Sequence, residues 1–378
     1  MVSFASIPQA VQYLIIASCL MMSTSEAAPV AGNRTLTDLV SFTLPPIISD
    51  RVIAPKVPAV NHNKEKDNIA KNLKWYREHG GKVKIGKRDG ELVGGMTMDL
   101  PADAPPTPPE PAEGSVYIAS ASEIAEFKKY AGIAATAYCR DVVPGTNWDC
   151  TQCQKYAPDG QLIKTFTSLI TDTNGFVLRS DSQKTIYLVF RGTNSIRSAI
   201  TDLVFDLTDY APVAGAKVHK GFLASYKEVV NKYFPVIQDE LTAFPTYKII
   251  VTGHSLGGAQ ALLAALDLYQ RDKRIGPNNL SIFTVGAPRV GNPTFAYYVD
   301  STDLPFSRSV NDRDIVPHVP PQAFGYLHAG VEAWARTSTH VQICNSQIET
   351  GSCSNSIVPF TSFTDHLTYY GINEGLCL

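Results

Sequence analysis

The pentapeptide Gly253-His254-Ser255-Leu256-Gly257 carries a hydroxyl nucleophile at a spacing that could expose it. In a G-x-S-x-G turn the flanking glycines remove the side chains that would clash where a strand reverses sharply into a helix, and the serine hydroxyl is held at the tip. The flanks fit that geometry. Ile249, Ile250, Val251 and Thr252 read as a buried strand, and Ala259 to Tyr269 as an Ala/Leu-rich helix. The backbone N–H of Leu256, in the first helical turn, then points where an oxyanion would form. Such a pentapeptide arises by chance in roughly one chain in ten of this length, so the strand–turn–helix context carries the assignment.

A serine hydroxyl is a poor nucleophile until a base takes its proton, and the base needs a third group to orient it. In the order typical of this turn, acid and histidine follow the serine. The downstream histidines are His318, His328, His340 and His366, and the downstream aspartates are Asp267, Asp272, Asp300, Asp303, Asp312, Asp314 and Asp365. Asp314 follows an expected strand at Phe306 to Val310 and could reach the rim that Ser255 occupies. Asp312 lies closer to the strand and competes, unless it is a turn former. His366 stands in Thr364-Asp-His-Leu367, with Cys377 eleven residues on to tie down the tail. His318 lies in a stiff, proline-flanked context that suits a structural role. His254 is expected to point away from the nucleophile and support the turn. Position alone leaves the choice of acid and base open.

The elements that must hold these residues alternate. A helix is expected at Ala121 to Ala134, with strands at Thr165 to Asp172, Gly175 to Ser180 and Thr185 to Phe190. Helices follow at Leu223 to Phe234 and near Phe234 to Phe244. Further strands are expected at Leu280 to Val285 and Phe306 to Val310, and a helix at Asn292 to Asp300. That alternation predicts an α/β fold with a mostly parallel central sheet covered on both faces.

The 378 residues carry a formal charge of −2, which gives no hint of nucleic-acid binding. With 44% apolar residues the chain can bury a sizeable core, yet no stretch reaches the roughly 18 apolar residues needed to cross a bilayer. Residues 1–27 read as a secretory signal peptide: a short apolar run from Tyr13 to Met22, then small residues, although no Lys or Arg precedes the run. Residues 28–110 differ from the rest. Arg51 to Arg88 holds eleven Lys/Arg against three Asp/Glu and ends in the dibasic pair Lys87-Arg88, and Pro101 to Pro111 holds six prolines. This piece is expected to be a pro-segment followed by an extended linker, with the compact domain at 111–378 beginning its ordered structure near Ser115. Outside the signal, six cysteines remain, an even number that suits an oxidising compartment and allows 15 pairings. Cys150-x-x-Cys153 lacks the partner ligands of a zinc site, and no metal or cofactor is expected. Asn33-Arg-Thr and Asn279-Leu-Ser are N-glycosylation sequons.

Taken together, Phe190-Arg-Gly-Thr-Asn194, Val218-His-Lys-Gly-Phe222, Gly253-His-Ser-Leu-Gly257, Gly286-Ala-Pro-Arg-Val-Gly-Asn292 and Arg313-Asp-Ile-Val-Pro-His318 resemble the class 3 (filamentous-fungal) triacylglycerol lipases, those of Rhizopus most closely. The resemblance spans about 112 to 378, and the basic N-terminal piece resembles the family's propeptide. It implies an α/β-hydrolase fold with a helical lid, a catalytic triad of Ser255, Asp314 and His366, and an oxyanion hole from the N–H groups of Thr193 and Leu256. It also implies disulfides Cys139–Cys377, Cys150–Cys153 and Cys344–Cys353, and a lid aspartate, Asp202, that supports Thr193 in the open form. The implied activity is hydrolysis of the outer esters of triacylglycerol by a secreted enzyme, expected to be a monomer, in transient contact with lipid surfaces.

From Ser195 to Leu207, the residues Ile196, Ile200, Leu203, Val204 and Leu207 fall on one helical face, with Asn194, Arg197 and Asp202 around it. Spacing alone fits a surface helix packed on the core; the resemblance implies a mobile lid over Ser255. Phe205, Phe222, Val316, Val319 and Leu367 are the expected acyl-chain wall. Because fold does not fix substrate, a feruloyl esterase or phospholipase on this scaffold, and a non-catalytic lipid-binding protein, stand as the other readings.

Overall fold

Strict alternation along buried strands builds this protein's core in two layers. On the strand Thr185–Phe190, Ile186, Leu188 and Phe190 enter one hydrophobic cluster while Tyr187 and Val189 enter another, as the two-residue period of a strand requires. The strand Lys248–His254 divides likewise, with Ile249 and Val251 on one face and Ile250 on the other.

The computed structural model describes residues 42–82, 92–111, 116–193 and 195–377. The expected signal segment, the Lys87-Arg88 pair, the Asn33 sequon and Asn194 lie outside them. In chain order come α1 (Glu65–Glu78), β1 (Leu92–Val93), β2 (Met96–Thr97), β3 (Val116–Ile118), α2 (Ala121–Thr136) and α3 (Thr151–Tyr156). Then follow β4 (Gln161–Thr167), β5 (Asn174–Ser180), β6 (Thr185–Phe190), α4 (Ile196–Thr201), β7 (Leu207–Asp209) and β8 (Lys217–His219). Next are α5 (Lys220–Ala243), β9 (Lys248–His254), α6 (Leu256–Arg271), β10 (Leu280–Val285), α7 (Pro293–Asp300) and β11 (Phe306–Asn311). The antiparallel pair β12 (Val331–Thr337) and β13 (His340–Cys344) follows.

The central sheet has nine strands in the order β3-β13-β12-β11-β10-β9-β6-β5-β4. The five strands from β12 to β6 pair in parallel, and antiparallel strands flank them on both sides. Helices α5 and α6 supply one hydrophobic face and α2 the other. A capping box fixes the start of α2, where Ser120 Oγ accepts from Glu123 N–H and the Glu123 carboxylate accepts from Ser120 N–H. Disulfides join Cys139 to Cys377, Cys150 to Cys153 and Cys344 to Cys353.

The strand expected at Thr165 to Asp172 is β4, Gln161–Thr167, and ends where Ser168 Oγ turns the chain by accepting from the N–H groups of Ile170 and Thr171; three further points differ from the sequence reading. The two helices expected between Leu223 and Phe244 are one, α5, running through Pro235. Its buried face, from Phe222 to Leu241, continues across the proline, and packing outweighs the single backbone bond that proline removes. The proline-rich linker is also not free. Pro105 is buried, and its carbonyl accepts from Arg313 Nη2 at 2.7 Å. Finally, β12 and β13 escaped the sequence reading, because Val331–Thr337 carries Glu332 and Arg336 within it. Glu332 lies opposite Arg308 of β11, and the two pair at 2.7 Å with both side chains buried.

Removing one partner of that pair strands a buried charge. Glu332→Ala should lower stability by about 3–5 kcal/mol, read as a fall in the urea midpoint without change in its slope.

Candidate active site

β9 stays buried to His254 and α6 begins at Leu256, so Ser255 alone makes the reversal. Its backbone stands at φ 57° and ψ −131°, a conformation that costs an L residue energy and persists only where the surroundings enforce it. They do: a Cβ on Gly257 would meet Phe190 O at 2.3 Å, and one on Gly253 would meet Gly257 O at 2.4 Å. Strand, turn and helix can approach this closely only without those side chains.

Asp314 lies just beyond the end of β11, where its N–H donates to Asn311 O at 2.8 Å. Its carboxylate accepts from His366 Nδ1–H at 2.8 Å, from Val316 N–H at 2.8 Å and from the Tyr369 hydroxyl. His366 and Asp314 are both fully buried. With Nδ1 as donor, His366 Nε2 holds a lone pair that takes no hydrogen bond. The bond to the Ser255 hydroxyl is thus unmade in this state, in the manner of resting active sites that tighten around substrate.

Asp312 does something else. It adopts φ 36°, as short polar residues do in turns, and its carbonyl accepts from Trp334 Nε1–H at 2.7 Å. His318 is buried among structural partners, with Nδ1 3.2 Å from Asn355 Oδ1. His254 links the elements. Its Nε2–H donates to His366 O at 3.0 Å, which leaves Nδ1 to accept from the Tyr138 hydroxyl at 2.7 Å. Burial, then the neighbouring His366, holds His254 well below the usual histidine range and so neutral. Tyr369 and Tyr138 were missed, since a lone tyrosine in sequence gives no sign of its partner.

Ser255, Leu256 and Thr193 face a cavity of about 320 Å³. Gly192 brings Thr193 in: a Cβ there would lie 2.3 Å from the Tyr138 hydroxyl and 3.0 Å from Ser255 Cβ. The cavity's roof is α4, through Ile196, Ala199 and Ile200, together with Leu203. Of the expected acyl wall, Phe222, Val316 and Val319 line this cavity. Phe205 does not; its ring packs on Phe324 at 4.9 Å. Leu367 lines a separate cleft with Phe363 and Asn373, across Ile196 of the roof from the cavity.

The roof helix is shorter than expected. It ends at Thr201, Val204 is exposed, and Leu207 enters β7, paired with His219. His219 explains the change. Its Nε2–H donates to Val204 O at 2.6 Å while Nδ1 accepts from Phe222 N–H, pulling the chain after Leu203 out of the helix. Asp202 is exposed at the helix end, and Thr193 Oγ1 accepts from Ser195 N–H.

Residues 187–324 match the family model described as Lipase (class 3). The chain is 62% identical to the lipase of Rhizopus niveus across 100% of both. The native complex of Rhizomucor miehei lipase with its propeptide, 47% identical, superposes with a TM-score of 0.78 over 89% of this chain and 100% of that one. A triacylglycerol lipase described as having a serine protease triad as its catalytic centre is 55% identical, with a TM-score of 0.68 over 70% of this chain and 100% of that one. This chain therefore belongs to the class 3 lipases, and its fold is that of the α/β-hydrolases.

Asp365, beside the pair, offers a pH test. Burial, with Asp312 next, pushes its carboxyl up to about 6, against about 3.9 in an unfolded chain. A raised carboxyl pKa means that the charged form burdens the folded state. The burden is full above pH 6 and is relieved as pH falls toward 4. Asp365→Asn should thus stabilise by about 1 kcal/mol at pH 7, after allowance for solvent screening, and by nothing measurable at pH 3.5. Urea unfolding at the two pH values reads the difference.

Proposed function

We propose that this lipase is made as a preproprotein, is secreted as a monomer, and cleaves the outer ester bonds of triacylglycerol at a lipid–water surface. The observation that carries the reading is the buried Asp314–His366 pair beside the elbow serine, under an apolar roof. The serine-triad description of a 55% identical triacylglycerol lipase supports it. Ser255 Oγ attacks the ester carbonyl carbon as His366 Nε2 takes its proton, with Asp314 holding the imidazole. The N–H groups of Thr193 and Leu256 stabilise the tetrahedral oxyanion. The intermediate collapses, Nε2 returns the proton to the leaving alcohol, and water repeats the sequence on the acyl-enzyme. No metal or cofactor enters. The apolar lining of the roof fits long acyl chains better than a soluble ester such as a feruloyl compound.

Residues 1–27 act as the signal, 28–110 as propeptide and linker, and 111–378 as the catalytic domain. The propeptide complex of the Rhizomucor miehei relative, alignable over 89% of this chain, supports that division. So do the contacts. Glu65 of α1 reaches the buried Arg289, which also pairs with Glu349. Met96 and Met98 belong to the same buried apolar cluster as Ile196 and Ile200 of the roof, and Asp99 pairs with Arg197 at 3.0 Å. The propeptide thus holds the roof shut over Ser255, and the roof opens at lipid once it is gone.

Two measurements test this. Wild-type activity on long-chain triacylglycerol should jump as substrate passes its solubility limit, and Ser255→Ala should lose at least about ten-thousandfold; full activity in that variant would sink the assignment. Secretion without residues 29–110 should yield less active enzyme per cell if the propeptide aids folding, and undiminished yield would remove that role.

A further inference from the structure

With the roof shut, Ile196 and Ile200 are buried. They cannot make the first contact with a droplet, so the closed enzyme needs other apolar surface to adsorb by. The loop between β4 and β5 has it. Leu169 is 100% and Ile170 87% exposed, the two most exposed large apolar side chains among the described residues. A single exposed leucine is ordinary. An adjacent pair held fully in water beside a substrate cavity is not, and such patches mark interaction sites.

The loop is held rigid from beneath. The Glu228 carboxylate accepts from the hydroxyls of Ser168 and, at 2.7 Å, Thr171. Ser168 Oγ accepts from the N–H groups of Ile170 and Thr171 at 3.3 and 3.4 Å, and Ser168 N–H donates to Thr173 O at 2.8 Å. Asp172 accepts two bonds from Arg191 Nη2 at 3.0 Å. The hydroxyls of Ser168 and Thr171 are thus tied to the body of the protein, while Leu169, Ile170 and the ion-paired Asp172 face water. Thr171, next to Ile170, lines the cavity that holds Ser255, and Arg191 lies two residues before Thr193. The pair therefore stands on the rim of the site, tied to the strand end that carries the oxyanion residue.

We infer that Leu169 and Ile170 form a fixed anchor that inserts into the surface of neutral ester oil while the roof is still closed, and so places the cavity mouth against the droplet. The inference rests on the lipase reading above. Charge favours uncharged oil as the occupant: Glu228 and Lys232, which donates to Thr167 O, and the ion pair Asp172–Arg191 balance in sign around the loop, leaving no net charge to seek an anionic membrane. Leu169 and Ile170 stay exposed with the described residues of the N-terminal piece in place, so the anchor is available beside them.

The test compares the secreted, processed wild-type enzyme with its Leu169→Ser/Ile170→Ser variant. Partition onto triolein droplets and onto phosphatidylcholine vesicles is measured by depletion from solution, and turnover is measured on a dissolved short-chain ester. The expected result is roughly tenfold weaker adsorption to triolein with turnover of the dissolved ester unchanged. Equal adsorption of variant and wild type overturns the anchor. A matching loss on the dissolved ester overturns it too, since the pair would then be structural. Loss confined to phosphatidylcholine vesicles overturns the choice of oil. An inactive wild type would instead defeat the lipase reading. As a second readout, the emission of Ile170→Trp should shift to the blue with triolein; no shift in a variant that turns over the dissolved ester overturns the proposal.

Discussion

The turn at Ser255 is the constraint on which the rest depends. A non-glycine residue held at φ 57° needs a strand and a helix that cannot relax away from it. Both are buried along nearly their whole length, β9 in the parallel centre of the sheet and α6 against it. The strain is therefore borne by the large core around α5 and α6. The same placement brings in the other groups. β11 lies one strand beyond β10, and its loop delivers Asp314; Ser255 N–H donates to Val285 O at the end of β10. Ser255 and Asp314 thus stand at the carboxyl ends of parallel strands, where such sheets open a crevice.

Much of this was legible in the residues. The β6 and β10 strands were bounded correctly because apolar and β-branched runs fill them. The elbow was legible because steric exclusion leaves few sequences for it. What stayed hidden depended on partners remote in sequence. Asp314 and Asp312 could not be ranked by position, because what separates them is which carboxylate meets Tyr369 and Val316 N–H, 55 residues away and two residues away. The lid's length was misread for the same reason. Periodicity continues to Leu207, but the antiparallel pairing of Leu207 with His219 and the bond to Val204 O win over it. Phe205 and Leu367 looked like acyl-wall residues because an aliphatic or aromatic side chain carries no record of which cavity it faces.

The segment that carries Met96, Met98 and Asp99 can be weighed against the roof with ordinary magnitudes. The Asp99–Arg197 pair is half exposed on both sides, so it contributes at most about 1 kcal/mol. Met96 and Met98, buried in the cluster that also holds Ile196 and Ile200, offer roughly 1.5–3 kcal/mol each when fully covered. The grip on the roof is thus mainly apolar. In water, opening would expose both isoleucines at a similar cost per side chain. Against oil that cost disappears, since the side chains leave one apolar environment for another. Burial of the apolar roof side chains Ile196, Ala199, Ile200 and Leu203 over the cavity favours the shut state in water, and contact with a second apolar phase removes that bias.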